Sequence, residues 1–417
     1  MIKVNELLVV FLAAYLLQLL FSIIIEKLNR RHLERRGGHV SRRFEGFIDA
    51  ESLEKINAYT QDKSRLAVIN GVTSELILLG LLLGGFLSSV DAHLAAWRLH
   101  DVWAGLLFFG VLGVIFYILE LPFDYYHTFV IEEKYGFNRS NYRLWLTDHL
   151  KASLLSACLM SVVLVPILWA IRGFPNRWWL WGAIIVSGLQ IVLMVLYPIV
   201  IAPLFNRFEP LQDDDLAEKV KNLLQGAGLR VKEIFQMDAG RRSRHTNAYF
   251  TGIGKAKRVV LFDTLIQRHP HEEILAILAH EAGHFRGRHL IKQLIVFGVS
   301  MLAIFYLTYR LMGWPLLYAT FGFDGPRAHV GLLLIGIFLQ KAGFFFKPLY
   351  MALTRRWERA ADEYAVRLLH DFGPLARALK RLAADNLANL APHPIYVWFN
   401  ASHPPLGDRV AALEERR

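Results

Sequence analysis

His280-Glu281-Ala282-Gly283-His284 sets two imidazoles four residues apart, with a carboxylate beside the first. On a helix, residues i and i+4 share a face, so both rings reach one metal ion. Glu281 then stands next to that ion, placed to take a proton from a metal-bound water. The preceding run 272–279, EEILAILA, is rich in helix formers and carries apolar side chains at Ile274, Leu275 and Leu278, so the motif is predicted to lie on a helix. The chemistry this implies is zinc-dependent hydrolysis, with one Zn2+ per chain.

A catalytic zinc takes three protein ligands and leaves one position for water. The third ligand must come from outside the motif. Glu358, in the charged run 355–363 (RRWERAADE), is the choice. That run is helical in character, and Glu358 and Asp362 form an i, i+4 pair. One carboxylate can bind metal while the other accepts a hydrogen bond from a ligating histidine. A solvated helix with Glu358 paired to a neighbouring arginine is the rival reading of the same spacing. His271, Glu272 and Glu273 precede the motif on its own helix and are carried away from the metal. His370 and His393 are further candidates. His403 precedes Pro404-Pro405 and belongs to a turn or loop, where a histidine suits a transition-state hydrogen bond at least as well as ligation.

The elements that must position these residues are mostly membrane helices. Of the 417 residues 54% are hydrophobic, and mean hydropathy is +0.32, values of a membrane protein. Seven apolar stretches, residues 7–25, 76–94, 102–121, 150–171, 178–201, 290–312 and 330–349, approach the roughly 20 residues a span requires. The first is expected to be an anchor rather than a removed leader. Two polar stretches, 206–288 and 354–417, interrupt the spans. The predicted organisation is a five-span membrane region over 1–202, a zinc-peptidase segment over 203–289, two further spans over 290–350, and a C-terminal segment over 351–417 that supplies the third ligand.

Charge gives the topology. The chain carries 47 Lys+Arg against 36 Asp+Glu. The basic residues follow the odd-numbered spans, as in Arg30, Arg31, Arg35, Arg36, Arg42 and Arg43 after the first. Those loops and the peptidase segments are therefore expected in the cytoplasm. No basic, aromatic-interleaved module suggests a nucleic-acid partner. The single cysteine, Cys158, lies inside a span, which excludes an internal disulfide and a multi-cysteine metal site.

Within the first polar stretch, 215–227 reads as an amphipathic helix stopped by Gly228. A strand follows over 231–237. The runs 247–251 and 257–262 read as a hairpin joined by Gly252-Ile253-Gly254-Lys255. A strand edge beside a zinc helix can accept an extended peptide through main-chain hydrogen bonds; a sheet that only packs on the helix is the plainer alternative. Glu120, Gln190, Gln340 and Lys341 lie within or at the edges of spans, where polar groups face a cavity or a partner helix. Lys341 is the costliest of these unless it snorkels to the interface.

Taken in order, the segments 129–138 (FVIEEKYGFN), 203–206 (PLFN), 243–250 (SRHTNAYF), 258–265 (RVVLFDTL), the H-E-x-x-H motif, Glu358-x-x-Ala361-Asp362 and Ser402-His403-Pro404-Pro405-Leu406 resemble the type-1 CAAX prenyl proteases. These are integral-membrane zinc metalloendopeptidases of the sterile-mating-factor processing type. The resemblance runs from about residue 123 to residue 409. It implies zinc ligation by His280, His284 and Glu358, with Glu281 as base. Asn247 and His403 fall near the reacting carbonyl, and Arg409 near the site or a substrate carboxylate. It also implies a mainly α polytopic fold: about seven transmembrane helices enclosing a water-filled chamber, and a cytoplasmic zinc-peptidase portion with a small β-hairpin or sheet. Glu120, Gln190, Gln340 and Lys341 would line the chamber. The stretch 313–327 has no counterpart we can match. The implied substrates are prenylated C-terminal CAAX peptides or other membrane-associated peptides; a monomer is compatible with the sequence, which leaves the oligomeric state open. A bacterial inner membrane is the expected location, with the endoplasmic reticulum second. A membrane-protein quality-control metalloprotease and a metal-dependent transporter are the competing functions.

Overall fold

A computed structural model of the chain describes residues 2–251 and 256–415. Its frame is a set of long apolar helices. In chain order these are α1 (Glu6–Arg36), α2 (Ala50–Leu83), the shorter α3 (Phe86–Ala96), α4 (Asp101–Tyr126), α5 (Tyr142–Gly173) and α6 (Trp178–Leu196). Asn5, Asp49 and Asn141 cap α1, α2 and α5 by accepting from backbone N–H groups in their first turns, the exposed donors that helix starts leave over. Helix α4 runs on through a π-helical turn, His127–Glu132. Helix α6 does the same through Tyr197–Ile201 and then the one-turn α7 (Ala202–Phe205). Among the described residues, six helices have the length and apolar content to cross a bilayer, the sixth being His289–Met312. The pair Ala328–Phe344 and Lys347–Leu369, bent by 56°, passes the same test together and makes seven if it counts as one broken span. Side chains such as Leu17, Leu154 and Val299 are exposed on these helices, as lipid-facing positions should be.

The second span differs from the expected 76–94. The continuous helix is α2, and the chain turns at Gly84-Gly85, with Gly85 at φ 77, into the separate α3. The polar residues along α2 face other helices. Ser64 donates to Glu26 at 2.7 Å and Asn70 to Glu120 at 2.8 Å. Glu75 meets Lys341 with both oxygens at 2.6 Å from Nζ. Lys341 is only 2% exposed; Gln18 also accepts from it at 3.1 Å, and its Nζ stands 4.2 Å from the Tyr15 ring. It does not snorkel. A cation so placed is tolerated because its partners come with it.

The non-membrane part begins with β1 (Phe208–Pro210), α8 (Asp214–Gly226) and β2 (Arg230–Met237), then β3 (Ala248–Thr251) and β4 (Ala256–Phe262). The sheet order is β1-β2-β4-β3, with β2 and β4 parallel and the outer pairings antiparallel. β3 is therefore an edge strand, paired with β4 as the hairpin reading expected. The connection Gly252-Ile253-Gly254-Lys255 lies outside the described residues. The short α9 (Asp263–Arg268) leads into α10 (His271–Arg286), and α11 (His289–Met312) starts after a junction at Arg288, whose φ is 51. Beyond α12 (Pro315–Thr320), the broken span consists of α13 (Ala328–Phe344) and α14 (Lys347–Leu369); α15 (Gly373–Asp385), α16 (Pro394–Asn400) and α17 (Leu406–Glu414) complete the chain.

Helix α10 is buried on two sides. Ile274, Leu278 and Ala282 pack with Ala248, Val259 and Leu261 of the sheet and with Leu216 and Val220 of α8. Ala276 and Ala279 join Leu375 and Leu379 of α15, Val410 of α17, Ile56 of α2 and Ile131 of the π turn. The second cluster ties the peptidase helices to one end of the spans. A third, built on Phe11, Leu82, Phe108, Tyr318 and Val330, closes the membrane part around α3 and α12.

Removing one partner of a buried ion pair strands the other, at a cost of about 3 kcal/mol or more. Lys341→Met alone should lower the thermal unfolding temperature in detergent markedly. Lys341→Met with Glu75→Gln should recover most of the loss. Equal destabilisation by the single and double variants would show that the pair is not what holds α2 against α13.

Candidate metal centre

The histidine pair meets Glu358 because α10 and α14 approach without a side chain between them. A Cβ at Gly283 would lie 2.8 Å from Ala361 Cα and 2.9 Å from its carbonyl oxygen. Glycine inside a helix costs roughly 1 kcal/mol relative to alanine, and this contact is what its presence allows. Ala361 is itself fully buried. One turn before it on α14, Glu358 reaches both histidines: Oε2 lies 3.4 Å from His280 Nε2, and Oε1 3.2 Å from His284 Nε2. The two Nε2 atoms are 3.1 Å apart. One ligand atom from each of the three residues falls within 4.8 Å of the others.

The donor set fits a metal ion. The far nitrogen of each imidazole is held by another group, so both Nε2 lone pairs can point inward. His280 Nδ1 donates to Asp362 Oδ1 at 2.8 Å. His284 Nδ1 lies 3.0 Å from His289 Nδ1; with the proton on His284, neutral His289 is the acceptor. Trp357 stacks on His289 at 5.4 Å and 14°, which fixes that ring. Glu358 Oε2 is buried without a hydrogen-bond partner among the described residues, an orphan that a cation would satisfy.

Arg409, at the start of α17, grips Asp362 with Nε at 2.8 Å and Nη2 at 2.6 Å, and Nη1 stands 3.9 Å from Glu358. It acts on the centre through Asp362. Burial pushes the His280 ring down, but Asp362 and Glu358 outweigh it and lift the metal-free ring to about 9. Glu281 is shifted upward, first by burial and then by the Glu358 carboxylate, against the pull of His280 and His284.

His403 is exposed, with Nε2 3.3 Å from Glu358 Oε1 and Nδ1 2.8 Å from the Ser402 hydroxyl. Asn247 is exposed where the chain enters β3; its Oδ1 accepts from Ala248 N–H at 2.8 Å. Its approach is set by a buried cluster. His245 lies 3.1 Å from Glu132, which also accepts from Tyr59 at 2.6 Å, and the His245 ring stacks on Phe137 at 4.0 Å. Two stretches of the resemblance, 129–138 and 243–250, thus meet across the π turn. The other candidates lie elsewhere. His271 faces Asp213 and Asp215, Glu272 pairs with Arg377, and Glu273 is shared by His269 and Arg381. His370 ends α14 in a left-handed conformation, and His393 caps α16. His289 was missed in the sequence. It stands five residues after His284, a spacing that faces away on a continuous helix, and only the left-handed Arg288 junction brings it back.

Comparison with known proteins places these features in context. Residues 29–207 match the CAAX prenyl protease N-terminal family, described as five membrane helices, and residues 210–417 match peptidase family M48. The chain is 34% identical over 390 residues to the CAAX prenyl protease 1 homolog of Arabidopsis thaliana, covering 88% of this chain and 89% of that one. It is 31% identical over 394 residues to CAAX prenyl protease 1 of Saccharomyces cerevisiae, covering 88% and 86%. The crystal structure of S. mikatae Ste24p superposes with a TM-score of 0.92 at 28% identity, over 99% of this chain and 100% of that chain.

A metal entering the centre must displace the proton that His280 holds below about pH 9. Apparent affinity for a divalent metal should therefore rise roughly tenfold per pH unit from 7 to 9 and flatten above. Competition with a chromophoric chelator across that range measures it. A flat profile would mean that Asp362 and Glu358 do not hold the proton on His280.

Proposed function

The chain belongs to peptidase family M48 and carries the membrane segment of CAAX prenyl proteases, and from this premise we propose how its residues carry out the reaction. It is a multi-pass membrane metalloendopeptidase. The metal is zinc, one per chain, held by His280, His284 and Glu358. The substrate is a C-terminal CAAX peptide, prenylated on its cysteine. Residues 1–202 and 290–350 form the membrane housing, and 203–289 and 351–417 the peptidase portion. The basic loops after odd-numbered spans support a centre on the cytoplasmic face.

The observation that carries the reading is the convergence of three ligand atoms within 4.8 Å, one residue away from the half-buried Glu281. When bound, zinc supplies Lewis-acid polarisation of the scissile carbonyl and acidifies water. Glu281, raised by its burial, takes the proton of the attacking water and returns it to the leaving nitrogen. With the Ser402 hydroxyl donating to Nδ1, His403 carries its proton on Nε2, beside Glu358, where it can donate to the developing oxyanion. Asn247, at the mouth of β3, is the second donor. Arg409 orients Asp362, and Asp362 orients His280. The peptide lies extended along the free edge of β3, where main-chain hydrogen bonds set its register. A transporter would gather its ligands near the bilayer midplane, whereas His280 and His284 precede the α11 span.

Glu281→Gln should keep one zinc per chain by elemental analysis and lose about 10²- to 10⁴-fold in kcat. The assay is cleavage of a farnesylated CAAX peptide and its unprenylated twin, with and without chelator. Turnover by Glu281→Gln at the wild-type rate, or cleavage indifferent to the chelator, ends this assignment.

A further inference from the structure

A CAAX tail places its prenylated cysteine three residues from a free α-carboxylate. A bond cut anywhere within the tail thus stands within about 10 Å of that anion when the chain is extended. Enclosing a carboxylate without a partner is costly, so a cation is needed at that reach. Three cations are already committed. Arg409 is bound to Asp362, and Lys341 to Glu75. Arg355 donates to the carbonyls of Val397 and Ala401 at 2.9 and 2.7 Å.

Lys347 is different. It opens α14 at the bend of the broken span, half-buried, and its Nζ donates to Asn400 Oδ1 at 2.6 Å. Nζ also lies 5.7 Å from the Phe399 ring. Among the described residues no carboxylate stands within ion-pair distance of it. Both Lys347 and Asn400 line a cavity of about 370 Å³ between α1, α2, the bend and α16. Of the acids on that cavity, Glu75 is paired with Lys341, and Glu26 accepts from the Ser64 hydroxyl.

The register is that of a tripeptide. Asn400 precedes His403 by three residues, at most about 11 Å of chain, and His403 touches Glu358. Along α14, Lys347 precedes Glu358 by about three turns, roughly 16 Å of axis, and its side chain reaches Asn400. We propose that Lys347, together with the amide of Asn400, binds the free C-terminal carboxylate of the substrate and makes the protease select chain ends. The proposal rests on the CAAX reading above. The ammonium and the Asn400 Nδ2–H both donate to the anion while the Lys347–Asn400 bond keeps them together.

The test compares one farnesylated CAAX peptide as free acid and as C-terminal amide. Wild type should favour the acid by about ten- to a hundredfold in kcat/KM, the worth of a charged hydrogen bond, and mostly through KM. Lys347→Ala should lose that preference while cutting the amide as wild type does, and Lys347→Arg should keep part of it. A purely structural role would depress kcat on both peptides alike. Equal cleavage of acid and amide by wild type overturns the proposal without any variant, and so does undiminished preference in Lys347→Ala. Cleavage of neither peptide by zinc-loaded wild type fails the CAAX reading itself, and the proposal with it.

Discussion

Everything at the metal centre depends on how closely two helices approach. α10 brings His280, Glu281 and His284; α14 brings Glu358 and Asp362; the two touch backbone to backbone at Gly283 and Ala361. A methyl group at Gly283 could be accommodated only by moving α14 away, and a shift of an ångström is comparable to the 3.2 Å and 3.4 Å separations between Glu358 and the imidazoles. The approach is enforced from both sides, by the sheet under one face of α10 and by α15 and α17 against the other. Two carboxylates, an arginine and two imidazoles are packed there with little solvent. Such a cluster is held by its surroundings, since charged groups removed from water would otherwise separate or neutralise. Arg409, from the last helix of the described chain, supplies the balancing cation for Asp362. The centre is therefore complete only when the C-terminal segment has docked.

The membrane helices take part in this geometry directly. α10 passes into α11 through the single left-handed residue Arg288, and the first residue of that span, His289, holds His284. Trp357, on α14, holds His289 in turn. No flexible linker separates the peptidase portion from the bilayer part, so tilting of α11 would be felt at His284. The polar contacts along α2, from Ser64 and Asn70 to Glu75, have the same effect in the other direction. They fix the wall of the cavity whose rim carries Lys347 and Asn400.

What the sequence disclosed follows from the range over which each signal acts. The H-E-x-x-H pair and the Glu358–Asp362 pair are periodicities of a single helix, so their shared faces were legible without a fold. That they meet was not, because nothing in the local pattern of 355–363 separates a ligating glutamate from one paired with a neighbouring arginine. Gly283 carried the missing information, but only as one variable position of the motif. The hairpin was visible in its alternation and its glycines, whereas β1, three residues long and paired to β2, is too short to have a period. The second span was displaced because the apolar composition continues past Gly84-Gly85, where the chain turns from α2 into α3. Lys341 illustrates the same limit. Its charge argued for escape to the interface until Glu75, far away in sequence, supplied a partner.

A strand edge and a rigid helix select for different things. An edge such as β3 presents main-chain groups and reads any extended peptide, so it discriminates poorly among side chains. A terminal carboxylate has a fixed position only relative to the end of the chain, so a receptor for it measures length rather than sequence. Such a measurement is only as sharp as the object between receptor and metal. Here that object is α14, a continuous helix from Lys347 to Leu369 with Glu358 on it, stiffened by its contact with α10. A loop of equal span would let the receptor drift by several ångströms and blur the choice of bond. With loose reading along the edge and a fixed distance to the end, tails of differing sequence can share one cut position. That division of labour is what a protease of chain ends requires, and it explains why a lysine in a bent membrane helix can matter as much to selectivity as the residues around the metal.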